Sequence, residues 1–142
     1  MTDRVLLLSL RPRFAEAILE GSKTVELRRR PVAAGAGTRV VLYSSAPTMA
    51  IVGTAKLRTV DVAAPEVAWK RHRARLGLTK EEFDGYLDGA DQAYLLHLTT
   101  ICELDEPLHL YHLRKSGVFQ PPQSFRYVAA DDPLPLRELA AR

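Results

Sequence analysis

Five ionic side chains, a lysine, a glutamate and three arginines, lie close together in one short segment that follows the first predicted helix. The segment from Lys23 to Arg30 reads KTVELRRR, and its alternation predicts a strand with Val25 on one face. Glu26, Arg28 and Arg30 then share the opposite face, where the neighbouring arginine keeps the carboxylate ionised. In a cleft, such a pair can accept a hydrogen bond from a base amine while the cations neutralise phosphate. On an open sheet face the same residues form only weak ion pairs, so both interpretations stay open.

The other residue types that do chemistry favour structural roles. His109 and His112 can share one helical face, but no third ligand is evident nearby, so we predict no metal site. Cys102 is the single cysteine, which excludes an internal disulfide and a cysteine-rich zinc site, and we expect it in the core. His97 belongs to the same apolar strand and is expected to be structural. The chain has no glycine-rich phosphate loop, dinucleotide fingerprint or Gly-x-Ser-x-Gly turn, so we predict no cofactor.

Charge is distributed unevenly along the chain. Residues 1–75 hold 14 Lys/Arg against 6 Asp/Glu, a net of +8, whereas residues 76–142 hold 6 against 11, a net of −5. This asymmetry favours an electropositive region and an anionic partner, with nucleic acid as the leading candidate. The alternative is that the two halves interleave in space and their fields cancel.

Length and composition are those of one ordinary globular domain. The 142 residues include 46% hydrophobic and 26% charged residues, so a core can form without a metal or a disulfide. The longest apolar run near the N-terminus is Val5–Leu8, too short for a membrane span or a signal-peptide core. We therefore expect a soluble cytoplasmic protein with no membrane partner. The sequence leaves the oligomeric state open.

Short apolar runs alternate with helix signals along the chain. They predict strands at residues 4–10, 24–30, 39–45, 50–60, 91–101 and 124–128. Helices are expected from Pro12 to a stop at Gly21, from Pro65 to Gly77, after the Thr79/Glu82 capping box with Phe83, Tyr86 and Leu87 buried, and over 108–115. Because short strands and helices are segregated, the fold class is α+β with a small mixed sheet or barrel.

The same segments resemble the ASCH family, which is related to the PUA domain, in its bacterial single-domain branch. The family signature Gly-x-Lys-x-x-Glu-x-Arg is met by Gly21, Lys23, Glu26 and Arg28. The similarity runs over nearly all of residues 4–128. It also includes Ser9 and Pro12 before the helix, the strand 40–45, and the tail PPQSFRY at 121–127.

The resemblance implies a PUA-like fold, a small mixed β-barrel flanked by helices, with a cleft between the first helix and the barrel. We expect one such domain over residues 1–130 and a C-terminal extension over 131–142. In that cleft Lys23 and Arg28 would meet phosphate, and Glu26 would orient them or read a base edge. The other residues expected to contact nucleic acid are Arg11, Arg13, Arg30, Tyr43, Ser44, Ser45, Gln123, Ser124 and Arg126. For Tyr43 core packing is the alternative.

Two functions are compatible with this resemblance. The first is a module that binds RNA or DNA, single-stranded forms included, or a nucleotide-like ligand, with no catalytic residue. The second is a metal-independent hydrolase acting on RNA or a modified nucleoside, with Glu26 as base and Lys23 and Arg28 stabilising the pentacoordinate phosphorus. The related amidohydrolases carry a threonine nucleophile three residues after the lysine. Here that position is Glu26, so their mechanism does not transfer to this chain.

Overall fold

A computed structural model describes residues 4–142 as one curled, half-barrel sheet of six strands with five helices around it. The strands are β1 Leu6–Leu10, β2 Val25–Arg28, β3 Arg39–Ser44, β4 Ala50–Ala63, β5 Ala93–His109 and β6 Phe125–Tyr127. The helices are α1 Pro12–Glu20, α2 Pro65–Leu76, α3 Lys80–Tyr86, α4 Leu110–Lys115 and α5 Leu134–Ala140. The predicted α+β class and PUA-like barrel are confirmed.

The sheet has the strand order β2-β5-β4-β3-β1-β6. The β1 and β3 strands are parallel neighbours, and the other pairs are antiparallel. A parallel pair needs a crossover connection, which here consists of α1, β2 and the turn before β3. The segment that carries the ionic signature is therefore the crossover between two central strands.

Alternation along the strands gives the sheet two apolar faces. Leu6, Leu8 and Leu10 of β1 pack with Leu96 of β5 and Ile18 of α1 in a central core. A second core lies on the other side of β1 and β3, under α4 and α5. A third core lies on the outer side of β2 and β5, under α2 and α3. Glu26 and Arg28 belong to the inner side of β2, because Val25 and Leu27 fill the third core.

The helix ends follow the predicted signals. Gly21 and Gly77 end α1 and α2 in the left-handed region, with φ of 90° and 68°. Thr79 accepts a hydrogen bond from the Glu82 backbone N–H, and the Glu82 carboxylate accepts one from the Thr79 N–H, which completes the predicted capping box. No helix within residues 4–142 combines the length and apolar character needed to cross a membrane.

The fifth strand differs from its prediction, since it continues to His109 instead of ending at Ile101. Beyond Leu98, β5 pairs with β4 alone, so its other edge is open. Pro107 is tolerated there because a residue on an open edge has no ladder hydrogen bond to donate. Cys102, expected in the core, is exposed, because the adjacent Ile101 packs against the central core and alternation directs the next side chain to the other face.

Two further expectations are corrected at the surface of the helices. Tyr86 is exposed rather than buried, because α3 ends at this residue and only Phe83 and Leu87 reach the third core. The last residues were expected only to extend over the surface. They form α5, whose Leu136 and Leu139, three residues apart, are buried in the second core. The domain boundary at residue 130 stays a prediction.

A buried ionic signature beside the C-terminal tail

The site begins with the turn from α1 into β2. Gly21 adopts a positive φ that an L side chain rarely takes, and this conformation ends the helix. The Lys23 backbone N–H then donates to the Ala17 carbonyl, which directs the chain into β2. In β2, Glu26 lies opposite Leu96 and Arg28 opposite Tyr94 of β5. The signature is therefore held between the first helix and the sheet.

Lys23, Glu26 and Arg28 converge in one place, although strand alternation puts only Glu26 and Arg28 of these three on the same face. The Lys23 Nζ lies 3.2 Å from Glu26 Oε1, and an Arg28 terminal nitrogen lies 2.6 Å from Glu26 Oε2. The three residues are only 1%, 6% and 7% exposed. Each carboxylate oxygen thus faces one cation, and the three charges form a single buried network, which we name the ionic triad. Such groups are stable in an interior only when they are paired and hydrogen-bonded.

The Lys23 ammonium has no donor left for a ligand. Besides Glu26, it donates to the carbonyls of Val25, at 3.0 Å, and of Leu76. A lysine ammonium has three N–H groups, and here all three have acceptors. Leu76 closes α2, so its carbonyl is one of those that a helix leaves without an internal partner. Burial lowers the pKa of Lys23, and the nearby Glu26 carboxylate opposes that shift.

Arg28 connects the triad to both ends of the chain. It donates to the Ser9 carbonyl at 3.0 Å and to the Ser124 hydroxyl at 2.7 Å. Ser9 lies in β1, one residue before its end, and Ser124 precedes β6. The Ser9 N–H donates to the Ser124 carbonyl. The Arg28 Nε is buried and has no hydrogen-bond partner among the described residues. A buried donor of this kind is costly unless water or a ligand oxygen accepts from it.

The other predicted arginines lie outside the triad. Arg11, just before α1, and Arg30, after β2, are both exposed. Arg13 is exposed as well, but it forms a two-pronged ion pair with Glu82 and also donates to the Gly77 carbonyl. The hydrogen bond from Arg13 and those from Thr79 lower the pKa of Glu82 to about 2. Arg13 therefore ties α1 to the start of α3.

The predicted strand-end residues divide between the core and the site. Tyr43 is buried in the second core with its ring centroid 6.1 Å from that of Phe119, so the packing alternative describes its position. Burial raises the pKa of Tyr43. Ser44 is also buried, whereas Ser45 is half-buried, and its N–H donates to the Leu10 carbonyl. Both serines thus lie at the end of β1, where Ser44 is the register partner of Leu10, and Ser45 is the more accessible of the two.

The tail brings Ser124 to the triad and is clamped beside it. Gln123 and Ser124 are exposed at the surface. Arg126 faces Asp132, with two N–O distances of 2.9 Å, and it also donates to the Gln120 carbonyl. Burial raises the pKa of Asp132, but the hydrogen bonds from Arg126 and the Ala129 N–H outweigh this effect, so the net shift is downward. Arg126 therefore serves the tail as an internal clamp.

A basic hollow that the sequence did not predict lies at the other end of β1. It has a volume of about 590 Å³ and its cationic lining residues are Arg4, Arg39, Lys56 and Arg142. Arg39 and Lys56 are direct cross-strand neighbours, an arrangement in which like charges repel. Arg39 and Lys56 are far apart in the sequence, so their pairing across two strands could not be predicted from it. The one local signal is the Gly35/Gly37 turn, which comes shortly before Arg39. The hollow is distinct from the triad, which is enclosed.

The fold and the buried ionic triad define a PUA-like ASCH domain. A family model described as a domain of unknown function, DUF365, matches residues 7–117, and the chain belongs to that family. A protein of Zymomonas mobilis named "ASCH domain-containing ribonuclease" is 29% identical over 147 residues, which cover 100% of this chain and 99% of that protein.

Solved structures agree with this relationship. The crystal structure of ASCH from Zymomonas mobilis superposes with a TM-score of 0.87 at 27% identity, covering 99% of this chain and 96% of that chain. A serine-to-alanine mutant of the same protein gives a TM-score of 0.87 at 27% identity, covering 99% and 98%. The expected family resemblance is confirmed.

Proposed function

We propose that this protein binds nucleic acid, with RNA as the preferred ligand, through the surface where Arg28 contacts Ser124. The observation that carries this proposal is the buried carboxylate of Glu26 holding a guanidinium whose Nε has no partner among the described residues. An arginine fixed in this way is prepared to donate to a phosphate oxygen. The relationship to a protein named a ribonuclease supports RNA as the nucleic acid.

The triad residues have different tasks in this proposal. Lys23 and Glu26 position Arg28, because the ammonium is saturated and each carboxylate oxygen already faces a cation. Arg28 and Ser124 contact the ligand. The accessible residues around them that extend the contact are Arg11, Arg30, Ser45 and Gln123. Local movement of the exposed Ser124 side chain would admit a phosphate oxygen to the Arg28 guanidinium.

Electrostatics supports the same ligand class. Residues 1–75 carry a net charge of +8, and Arg11 and Arg30 have no carboxylate within 4.0 Å among the described residues. Each phosphate that such a cation neutralises releases counterions, so affinity should fall steeply with salt. For single strands, the logarithm of the binding constant should fall by about 0.7 per phosphate contact for each unit of log salt concentration.

The test is fluorescence anisotropy with labelled single-stranded RNA and DNA over a series of salt concentrations. Arg28→Ala and Ser124→Ala should weaken RNA binding, Arg28→Ala by at least about tenfold, since it removes a charge-assisted contact. Arg58→Ala is the matched control, because it removes the same charge from an exposed position on β4 without a contact to the triad. Circular dichroism verifies that each variant is folded.

Two results would overturn the proposal. Absence of measurable binding to any nucleic acid at low salt would reject the function. If the double variant Arg39→Ala/Lys56→Ala binds RNA more weakly and Arg28→Ala binds it as the wild type does, the ligand binds in the basic hollow and the proposed site is wrong.

A second candidate function is cleavage of RNA without a metal, favoured by full-length similarity to the protein named a ribonuclease. In such a reaction the ribose 2′-hydroxyl attacks the adjacent phosphorus and releases the 5′-oxygen of the next nucleotide. Arg28 would stabilise the charge that develops on the pentacoordinate phosphorus. Glu26 would serve as general base only by exchanging one of its two cation contacts.

Cleavage is tested with labelled single-stranded RNA in the presence of EDTA. A DNA strand of the same sequence is the matched substrate control, since it lacks the attacking hydroxyl. Loss of cleavage in Arg28→Ala and in the DNA strand supports the second function. Cleavage that survives Arg28→Ala, or that requires added metal, contradicts it.

A further inference from the structure

A second polar cluster lies on the outer face of the sheet, beneath α2. Asp61 near the end of β4, His72 of α2 and His97 of β5 each offer one ligand atom, and these three atoms all lie within 4.8 Å of one another. The His97 Nε2 is 2.8 Å and the His72 Nε2 3.7 Å from the same Asp61 oxygen, Oδ2. We name these residues the histidine cluster.

Strand register and one helix create this arrangement. His97 lies opposite Thr59 of β4, and Asp61 lies opposite Leu95, so Asp61 and His97 are diagonal neighbours on one face. His97 also faces Val25 of β2, on the side away from the triad. His72 approaches from α2, and the two imidazole rings meet edge to face with centroids 4.9 Å apart.

A purely structural hydrogen bond does not account for all three residues. Such a bond explains His97 and Asp61, at 2.8 Å. The 3.7 Å between His72 Nε2 and the same oxygen is too long for a hydrogen bond. A second half-buried imidazole thus converges on a carboxylate without bonding to it.

The distances suit a tetrahedral metal ion. With zinc–ligand bonds of about 2.1 Å, two ligand atoms at a tetrahedral angle lie about 3.4 Å apart. The separations of the Asp61 oxygen from the two imidazole nitrogens, 2.8 and 3.7 Å, lie on either side of that value, and the two imidazole nitrogens lie within 4.8 Å of each other. Two imidazole nitrogens and a carboxylate oxygen are typical ligands of zinc and of other divalent transition metals. The Asp61 side chain is 50% exposed, so an ion has a route into the cluster.

We propose that Asp61, His72 and His97 bind a divalent transition-metal ion, with Zn²⁺ as the best match to the donor set. Three protein ligands leave a fourth position for water, as in an open zinc site. The ion joins α2 to β4 and β5 and therefore stabilises the packing of that helix on the sheet. This site is independent of nucleic-acid binding, because it lies on the opposite face of the sheet from the ionic triad.

The test is titration of metal-free, untagged protein with Zn²⁺, followed by calorimetry and by competition with a chromogenic chelator. We expect one equivalent to bind, with affinity at least about tenfold weaker in His72→Ala and Asp61→Asn. His112→Ala is the matched control for the loss of an imidazole, and Cys102→Ser controls for binding at the exposed thiol. Both controls should bind zinc like the wild type.

Two further measurements keep the proposal falsifiable if a variant folds poorly. Saturating Zn²⁺ should raise the Tm of the wild type by at least about 5 °C and leave that of His72→Ala unchanged. Co²⁺ in place of Zn²⁺ should give the intense visible absorption of a tetrahedral site. Substoichiometric zinc binding, equal binding by His72→Ala and wild type, or loss of binding in Cys102→Ser alone would overturn the proposal.

Discussion

The ionic triad and the histidine cluster lie on opposite faces of the sheet, the triad on the inner side of β2 and the cluster on the outer side of β4 and β5, and they differ in how many of their polar atoms have partners. In the triad, every Lys23 donor and both Glu26 oxygens have partners within the protein. In the histidine cluster, two imidazoles share one carboxylate oxygen and only one of them bonds to it. In the triad, the satisfied Lys23–Glu26 pair supports Arg28, whose Nε has no partner among the described residues. In the cluster, His72 lies near the carboxylate without bonding to it, which is the arrangement that the metal proposal uses.

The largest effect should come from breaking the triad. Glu26→Gln leaves two buried cations without a counterion, so the free energy of unfolding should fall by about 3–5 kcal/mol. Urea denaturation measures this change. Asp84→Asn, which removes one partner of the exposed Lys80–Asp84 pair, is the control and should cost less than about 1 kcal/mol. A loss below 1 kcal/mol in Glu26→Gln would contradict a supporting role for the triad.

The clamp that holds the tail beside the triad should show an intermediate effect. Asp132→Asn should lower the free energy of unfolding by about 1–3 kcal/mol at pH 7, since charge-assisted hydrogen bonds are lost. Because the pKa of Asp132 is lowered on folding, its contribution is complete above the unfolded value of about 3.9 and is lost as the pH falls through the folded value. The stability difference between wild type and variant should therefore shrink below about pH 4. A difference that stays constant from pH 6 to pH 3 would count against the clamp.

Arg28→Lys tests whether the geometry of the guanidinium matters as well as its charge. A single ammonium is a point charge and cannot match the arginine fork that joins Ser9, Glu26 and Ser124. RNA affinity should fall about tenfold, equivalent to about 1.4 kcal/mol. Anisotropy measures the change, with Arg58→Lys as the control. Equal affinity in Arg28→Lys and wild type would show that charge alone is read.

The smallest effect should come from the histidine cluster in metal-free protein. Asp61 is half exposed, so Asp61→Asn should change the free energy of unfolding by less than about 1 kcal/mol. Urea denaturation of Asp61→Asn and Glu26→Gln under identical conditions, in the presence of EDTA, compares the two losses in the free energy of unfolding. A loss as large as that of Glu26→Gln would mean that the Asp61 carboxylate is itself a structural charge.

Local signals predicted the elements better than the contacts between them. Gly21, Gly77 and the Thr79/Glu82 box specify helix ends through backbone chemistry that needs no distant partner. The alternation of β2 likewise predicted that Glu26 and Arg28 share a face. The burial of Lys23 was not predictable, because lysine is ordinarily exposed and its acceptor at Leu76 is 53 residues away.

Long-range contacts account for the remaining differences. Arg28 and Ser124 are 96 residues apart, and sequence alone suggested their proximity only through family resemblance. The histidine cluster depends on the register of β4 against β5, which no local pattern specifies. The continuation of β5 past Leu98 likewise depends on pairing with β4, a long-range contact that no local pattern specifies.

The position of the signature in the crossover between β1 and β3 has a consequence for folding during synthesis. Glu26 lies opposite Leu96, and Arg28 donates to the hydroxyl of Ser124. Both partners are therefore synthesised long after the signature residues. When only about the first thirty residues have left the ribosome, the side chains of Lys23, Glu26 and Arg28 have no structure around them and stay hydrated. The triad therefore becomes enclosed late, when Ser124 in the C-terminal part of the chain is available to accept from Arg28.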